Sequence, residues 1–127
     1  MSVRSHVEEL IGLVKQGALL DAFERFYAEN VSMQENSYPA SVGKDANRER
    51  EKQFLASVKE VHEVDARFTI VEGNQAAIGW LLDFTNTDGV RLRMDQVAYQ
   101  VWENGQIVSE RFYYDTAGLA VKEEALV

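Results

Sequence analysis

Glu35 is the side chain whose position in this sequence most favours acid–base chemistry. It closes the stretch Val31–Glu35, and strand alternation would put it on the same face as two apolar side chains. Burial among apolar groups raises the pKa of a carboxyl, and an acid tuned in this way could take a proton from a bound substrate near neutral pH. A glutamate that merely ends a strand and points to water is the alternative.

Two further residues could share this chemistry. Glu110 lies on one strand face with Phe112 and Tyr114, so it could stand in the same cavity as Glu35. Two carboxyls in one site of low dielectric would split their pKa values, although an ion pair with an arginine is the structural alternative for Glu110. His62 has the parity of an apolar strand face, which fits either a proton shuttle or a hydrogen-bonded structural histidine.

The composition excludes several classes of function. The 127 residues are 46% hydrophobic and 27% charged, as expected for one folded domain over residues 1–127. A net charge of −8 disfavours nucleic acid and anionic membrane surfaces as partners. There is no cysteine, and His6 is expected to be exposed, so no metal site is predicted. Without an apolar leader or membrane span in this sequence, a cytoplasmic location is expected.

The first half of the chain has the period of a helix. Apolar residues recur at helical spacing from Val3 to Val14 and again from Leu19 to Tyr27. The segment Ser37–Gly43 contains the only proline and is predicted to be a loop. A third helix is predicted from Asp45 to Val58, with the charged run Arg48–Lys52 on a solvated face.

The second half of the chain has a period of two. Apolar residues alternate at Val64, Ala66, Phe68 and Ile70, then from Ala76 to Phe84, from Val90 to Trp102 and from Ile107 to Tyr114. Glu103-Asn104-Gly105-Gln106 carries the turn chemistry of a hairpin between the last two strands. Three helices followed by a four-strand meander predict an α+β domain.

The strand ending at Trp102 is apolar on both faces in its second half. If helices cover only one face of the sheet, a second copy of the protein is the simplest cover for the other. A homodimer packed through the sheets is therefore expected, with Tyr99 and Tyr113 as interface residues. A surface with a few tolerated apolar side chains is the alternative.

Some stretches of the chain have the pattern of a known family. They are Phe26–Val31, the Gly43 that precedes the third helix, Trp102–Val108, and the ending Tyr114-Asp115. Together with the order of elements, they resemble the SnoaL-like branch of the nuclear transport factor 2 superfamily from about residue 3 to residue 119. The resemblance implies three N-terminal helices packed in the concave face of a strongly curved, mainly antiparallel sheet, with a pocket at the open end and dimers in many members.

By resemblance to the ketosteroid isomerases of this superfamily, Glu35 falls on the position of the general base. The same comparison implies ligand-binding positions at Trp80, Leu82, Phe84, Ala98, Gln100, Phe112 and Tyr114. The tyrosine and the aspartate that hold the enolate oxygen in those isomerases fall near Leu10 or Ile11 and at Ala98, so that oxyanion hole is absent. Tyr38, Gln100 and Tyr114 could supply hydrogen-bond donors in its place.

Two functions follow from these residues. The first is an isomerase, cyclase or dehydratase that needs no cofactor, in which Glu35 removes a proton next to the carbonyl of a small apolar ligand. The second is a binding or assembly module, in which the same cavity holds a small apolar molecule without chemistry or is filled by side chains.

Overall fold

Two helices open the chain, and most of the later residues enter one sheet. The computed structural model describes residues 2–121. Its elements are α1 (Val3–Lys15), α2 (Leu19–Phe26), β1 (Tyr27–Glu35), β2 (Ser41–Val42), α3 (Lys44–Ser57), β3 (Val58–Glu72), β4 (Gln75–Asn86), β5 (Arg91–Glu103) and β6 (Gln106–Tyr113). Within this part of the chain, no helix is both long and apolar enough to cross a membrane.

The six strands form one curved sheet in the order β2-β1-β6-β5-β4-β3. Strands β3 to β6 are the predicted antiparallel meander, and its last hairpin turns at Asn104 and Gly105 with φ values of 52° and 77°. Strand β1 pairs in parallel with β6, which sets Met33 beside Glu110 and Glu35 beside Phe112. The predicted α+β fold with a mainly antiparallel sheet is confirmed.

The core lies between the helices and the inner face of the sheet. Phe23 and Phe26 of α2 are fully buried there, as are Ile78, Trp102 and Ile107 of the sheet. The rings of Phe26 and Trp102 meet edge to face, with 5.9 Å between their centroids. Since burial of one such side chain contributes about 1.5–3 kcal/mol, this cluster holds the helices on the sheet.

The first strands differ from the predicted boundaries. Strand β1 begins at Tyr27, four residues before the stretch predicted to be a strand, and β2 occupies Ser41–Val42 inside the predicted loop. Strand β2 pairs antiparallel with β1 beside Ser32 and Met33. A two-residue strand exists only through this non-local partner, which a local sequence pattern does not reveal.

The outer end of β3 also differs from the predicted alternation. The pairing of β3 with β4 shifts between Ala66 and Phe68, where a β-bulge inserts an extra residue. Ala66 therefore packs against the core, whereas Phe68 and Ile70 are exposed on the outer face of the sheet. The ring of Phe68 lies over Gly79 and leaves no room for a Cβ there.

Asn47 ties α3 to the edge of the sheet. Its buried Nδ2 donates to the carbonyl oxygens of Ser41 at 3.0 Å and Gly43 at 2.9 Å, and it lies 3.4 Å from that of Val31. Gly43 precedes the helix with a φ of 102°, a conformation that residues with a Cβ rarely adopt. Helix α3 therefore meets the cavity described below in a defined orientation.

Replacement of Asn47 by Ala is expected to lower the free energy of unfolding by about 2 kcal/mol, because buried carbonyl groups lose their donor. Urea denaturation followed by circular dichroism measures this change. Asn30→Ala, at an exposed position of β1, is the matched control and should stay within about 0.5 kcal/mol of wild type. Equal stabilities of the two variants would contradict the role of Asn47.

Candidate functional site

A cavity of about 600 Å³ lies between the helices and the inner face of the sheet. Much of its wall is apolar and comes from Leu10, Val14, Met33, Phe54, Val64, Trp80, Leu82, Phe84, Leu92, Met94, Phe112 and Leu119. Charged and polar side chains interrupt this wall at Glu35, Arg50, Glu51, Gln96, Glu110 and Tyr114. A largely apolar space with a few polar groups is typical of a site for a small organic ligand.

Glu35 ends β1 where the cavity meets solvent. Its Oε1 accepts a hydrogen bond from the Tyr114 hydroxyl at 3.0 Å, and its Oε2 pairs with the Arg50 guanidinium at 2.8 Å. Burial, followed by the hydrogen bond to Glu35, raises the pKa of Tyr114 to about 12, so the phenol remains a neutral donor. Each carboxylate oxygen keeps a second acceptor site, so Glu35 can still accept a proton from a ligand.

Glu110 is buried in the wall of the cavity on β6. Tyr27 donates to its Oε1 and Gln100 to its Oε2, the latter at 2.7 Å. The indole N–H of Trp102 donates to Oε1 of Gln100 at 3.0 Å and so fixes the direction of that amide. Burial raises the pKa of Glu110 to about 7, although both hydrogen bonds oppose the rise. Within residues 2–121 no arginine pairs with Glu110, so that alternative is wrong.

Glu51 extends from α3 into the same cavity. Burial raises its pKa to about 7; the charges of Glu110 and Glu35 add to the rise, and that of Arg50 opposes it. No group among the described residues forms a hydrogen bond with this carboxyl. Glu51 is therefore available both as a neutral donor and as a carboxylate near pH 7.

The expectation of a solvated face for the whole run Arg48–Lys52 is wrong at Glu51, whereas Arg50 is exposed as expected. Glu51 lines the cavity together with Asn47 and Phe54, one turn of helix before and after it. Arg50 reaches across to Glu35. Both were missed by sequence reasoning, although the position of Glu51 between Asn47 and Phe54 on one helix face is a signal that could have identified it.

The structure brings many of the predicted site residues to this one cavity. They are Glu35, Trp80, Leu82, Phe84, Glu110, Phe112 and Tyr114. Ala98 and Gln100 are fully buried instead, and the amide of Gln100 donates its hydrogen bond to Glu110. Tyr38 is exposed and lines a separate cleft that it shares with Tyr114, because the chain turns away after β1. Ala98, Gln100 and Tyr38 therefore do not line the main cavity, whereas Tyr114 does.

The two histidines lie elsewhere. His62 is exposed on β3, with its Nε2 2.7 Å from Oγ1 of Thr85, because the register shift around it removes the expected parity with Val64. His6, expected to be exposed, stacks on Trp102 with 5.9 Å between ring centroids, and its buried Nδ1 has no partner among the described residues. Neither side chain lines the cavity.

Gln96 is a third cavity residue that sequence reasoning missed. It lies on the inward face of β5 between Met94 and Ala98 and is buried. A polar residue on a largely apolar strand face is the signal that could have identified it. Its amide adds a neutral donor and a neutral acceptor to a wall that also carries several carboxyls.

The family comparison agrees with the fold and with the resemblance drawn from the sequence. The SnoaL-like domain family matches residues 1–114. The chain belongs to this SnoaL-like family. No curated protein matches it in sequence.

Solved structures show the same fold. A protein from Mesorhizobium loti, provisionally named a SnoaL-like polyketide cyclase, is 30% identical with a TM-score of 0.81, over 90% of this chain and 100% of that chain. An NTF2-like protein of unknown function from Burkholderia pseudomallei is 18% identical with a TM-score of 0.77, over 92% and 94%. A protein from Rhodopseudomonas palustris, provisionally named an isomerase, is 15% identical with a TM-score of 0.74, over 94% and 93%.

The raised pKa values of Glu51 and Glu110 predict that stability falls as pH rises. Both groups have a pKa of about 7 in the folded protein, against an ordinary value of 4.5, so the folded state binds more protons between these limits. The contribution of these two groups to the unfolding free energy is therefore fully present below about pH 4.5 and is lost as pH rises through about 7, by up to about 3 kcal/mol for each fully shifted group. Urea denaturation at half-unit pH intervals measures the slope.

Glu110→Gln, which mimics the neutral acid, should reduce this slope by more than half, because the charge of Glu110 also raises the pKa of Glu51, and should make the protein more stable than wild type above pH 7. Glu103→Gln changes an exposed carboxyl at the end of β5 and should leave the slope as it is. An unchanged slope in Glu110→Gln would show that Glu110 does not bind a proton in this range.

Proposed function

We propose that this protein is a small enzyme of isomerase, cyclase or dehydratase type that moves a proton on an apolar carbonyl compound. The observation that supports it is a cavity in which three carboxyls have different surroundings: Glu35 is paired with Arg50, Glu110 is held by neutral donors, and Glu51 has no hydrogen-bond partner among the described residues. Such differences separate the roles of acid and base within one site.

Glu35 is the proposed base. Its carboxylate removes a proton from the carbon next to the ligand's carbonyl group, and the electrons of that C–H bond move onto the carbonyl oxygen. Tyr114 and Arg50 hold the two carboxylate oxygens in place, so little reorganisation is needed. On the cavity side of Glu35, the apolar wall lowers the local dielectric and so strengthens the electrostatic interactions there.

Glu51 is the proposed acid. In its neutral form it donates a hydrogen bond or a proton to the oxygen on which negative charge develops. Return of the proton from Glu35 to another carbon completes an isomerisation, and Glu51 then regains its own proton. In a dehydration, Glu35 would instead give this proton to a hydroxyl on the β-carbon, which leaves as water, while Glu51 regains its own proton from the enol oxygen. From the sequence, Tyr114 was a candidate hydrogen-bond donor to the carbonyl oxygen of the ligand. Its hydroxyl instead donates to Glu35.

Exchange of α-protons in a simple ketone tests this chemistry without knowledge of the natural substrate. With α-tetralone in D2O, the protein should accelerate loss of the α-proton NMR signal, and Glu35→Gln should lower the catalysed rate about 10²–10⁴-fold because it removes the base. Glu29→Gln, an exposed carboxyl on the same strand, is the matched control. Wild-type exchange no faster than in buffer, or equal rates in the two variants, would contradict the proposal.

A non-catalytic binding module of the same fold is the second candidate. It is favoured by the engagement of both Glu35 oxygens and by the burial of Glu110 among satisfied hydrogen bonds. In that case the cavity holds a small apolar molecule without turnover, and Glu35→Gln changes affinity or nothing.

A homodimer packed through the outer face of the sheet is proposed with either function. Two rows of residues cross the four strands of the meander: Phe68, Gly79, Val97 and Tyr113 in one, and Ile70, Ala77, Tyr99 and Arg111 in the other. Phe68, Ile70, Tyr99 and Tyr113 are exposed. These rows contain no acidic residue in a chain of net charge −8, so two copies can meet here without repulsion between carboxylates.

Ile70→Lys should dissociate this dimer, because it places two like charges in the shared face. Sedimentation equilibrium should give the mass of two chains for wild type and of one chain for the variant. Val42→Lys makes the same change at an exposed apolar position of β2 and should leave the dimer intact. A monomeric wild type would contradict the proposal.

A further inference from the structure

Gln96 is a buried polar side chain in the wall of the cavity that neither proposed catalytic role uses. It lies on β5 directly opposite Trp80 of β4, and only 8% of its surface is exposed. It lines the cavity together with its neighbour Met94, whereas the next inward residue, Ala98, is covered. The amide therefore belongs to the cavity surface and not to the packed core.

The Gln96 amide has no hydrogen-bond partner within residues 2–121, in contrast to the other amides of this region. Gln100 donates to Glu110, Gln34 donates to the carbonyl oxygen of Tyr38, and Asn47 donates to backbone carbonyls. Buried polar groups in folded proteins are almost always hydrogen-bonded, because an unsatisfied one is destabilising. A buried amide that is open only to a cavity points to a polar atom inside that cavity.

The register of the sheet places Gln96 near the proposed base. Glu35 lies beside Phe112 on β6, and Phe112 lies beside Ala98 on β5, two residues from Gln96 on the same face. One strand separates Glu35 from Gln96, and with the offset of two residues along β5 their backbones are about 12 Å apart. Both side chains line the cavity, and a small ligand between them can contact both.

The charges of the cavity restrict the kind of polar atom that Gln96 can meet. Glu35 from β1, Glu51 from α3 and Glu110 from β6 face the same space, and Arg50 is engaged by Glu35. An anionic ligand group would be repelled there. A neutral oxygen acceptor is favoured, since the N–H of an amide binds it without a change of charge.

We propose that Gln96 determines ligand specificity by donating a hydrogen bond from Nε2 to a neutral oxygen of an otherwise apolar ligand. The ligand class is thus a ketone or related uncharged carbonyl compound on a hydrocarbon skeleton. This inference deepens the proposed function by naming what is recognised on the β4–β5 wall. It requires binding and not turnover.

Matched pairs of ketone and hydrocarbon test the inference by binding alone. The pairs are α-tetralone with tetralin and 2-acetylnaphthalene with 2-ethylnaphthalene. Calorimetry should show that wild type prefers the ketone in at least one pair, and that Gln96→Leu reduces ketone affinity about 5–10-fold while hydrocarbon affinity is unchanged or greater. Gln53→Leu, at an exposed position of α3, should behave as wild type. The carbonyl stretching frequency of the bound ketone should be higher in Gln96→Leu than in wild type.

Stability of the ligand-free protein provides a second readout. If Gln96 is kept for a ligand, Gln96→Leu replaces an amide that faces only the cavity with an apolar side chain and should leave the urea midpoint unchanged or raise it. A structural role of the amide would instead lower that midpoint.

The outcomes separate this inference from the proposed function. Ketone preference lost in Gln96→Leu supports the inference even if wild type does not exchange α-protons, in which case only the enzymatic proposal fails. The inference is overturned if wild type shows no preference for the ketone, whether both compounds of each pair bind or neither does. It is also overturned if wild type and Gln96→Leu show the same preference for the ketone. Catalysed α-proton exchange in wild type would in that case leave the enzymatic proposal in place.

Discussion

The parallel pairing of β1 with β6 is the constraint on which the site depends. It joins residues about eighty positions apart and sets Glu35 beside Phe112 and Met33 beside Glu110. Asn36 extends the pairing beyond the strand: its N–H donates to the carbonyl oxygen of Phe112 at 2.7 Å, and its Oδ1 accepts from the N–H of Tyr114 at 2.9 Å. Tyr114 is thereby fixed where its hydroxyl reaches Glu35. Without this pairing Glu35 would end a solvated edge strand, and its carboxylate would have no cavity beside it.

Helix α3 supplies two charged groups of the site, Arg50 and Glu51. Two consecutive residues of one helix point about 100° apart, so Arg50 can pair with Glu35 at the surface while Glu51 enters the cavity. This short segment therefore places the Arg50 cation next to the Glu35 carboxylate, and it places Glu51, which has no hydrogen-bond partner among the described residues, near Glu110. Asn47 holds this helix on the sheet through the carbonyl groups of Ser41 in β2 and of Gly43 directly after it. The environments of the three carboxyls follow from this arrangement, because Glu35 is paired with Arg50, whereas burial raises the pKa of Glu51 and Glu110.

Sequence patterns predicted the regular parts of this fold correctly and failed where a regular period is interrupted. On β4 and β5 the period of two is unbroken, so the inward positions Trp80, Leu82 and Phe84 were recognised. On β3 two bulges change the parity, which turned Phe68 outward and left His62 in solvent. In the charged run of α3, alternating charge resembled a solvated face, yet Glu51 lies one turn after the buried Asn47. A local pattern does not record bulges or which helix face meets a cavity, since both depend on partners elsewhere in the chain.

The sequence by itself determined the fold class, the order of helices and strands, the hairpin at Asn104-Gly105 and the apolar face that became the cavity wall, because these depend on local propensity and periodicity. Tertiary structure decided the rest. It decided that Gln100 serves Glu110 and not a ligand, that Tyr38 lies outside the cavity, and that Gln96 lies in its wall without a partner among the described residues. The physical reason is that hydrogen-bond partners and burial arise from the non-local pairing of strands and the docking of α3, and these set the chemistry of each polar group.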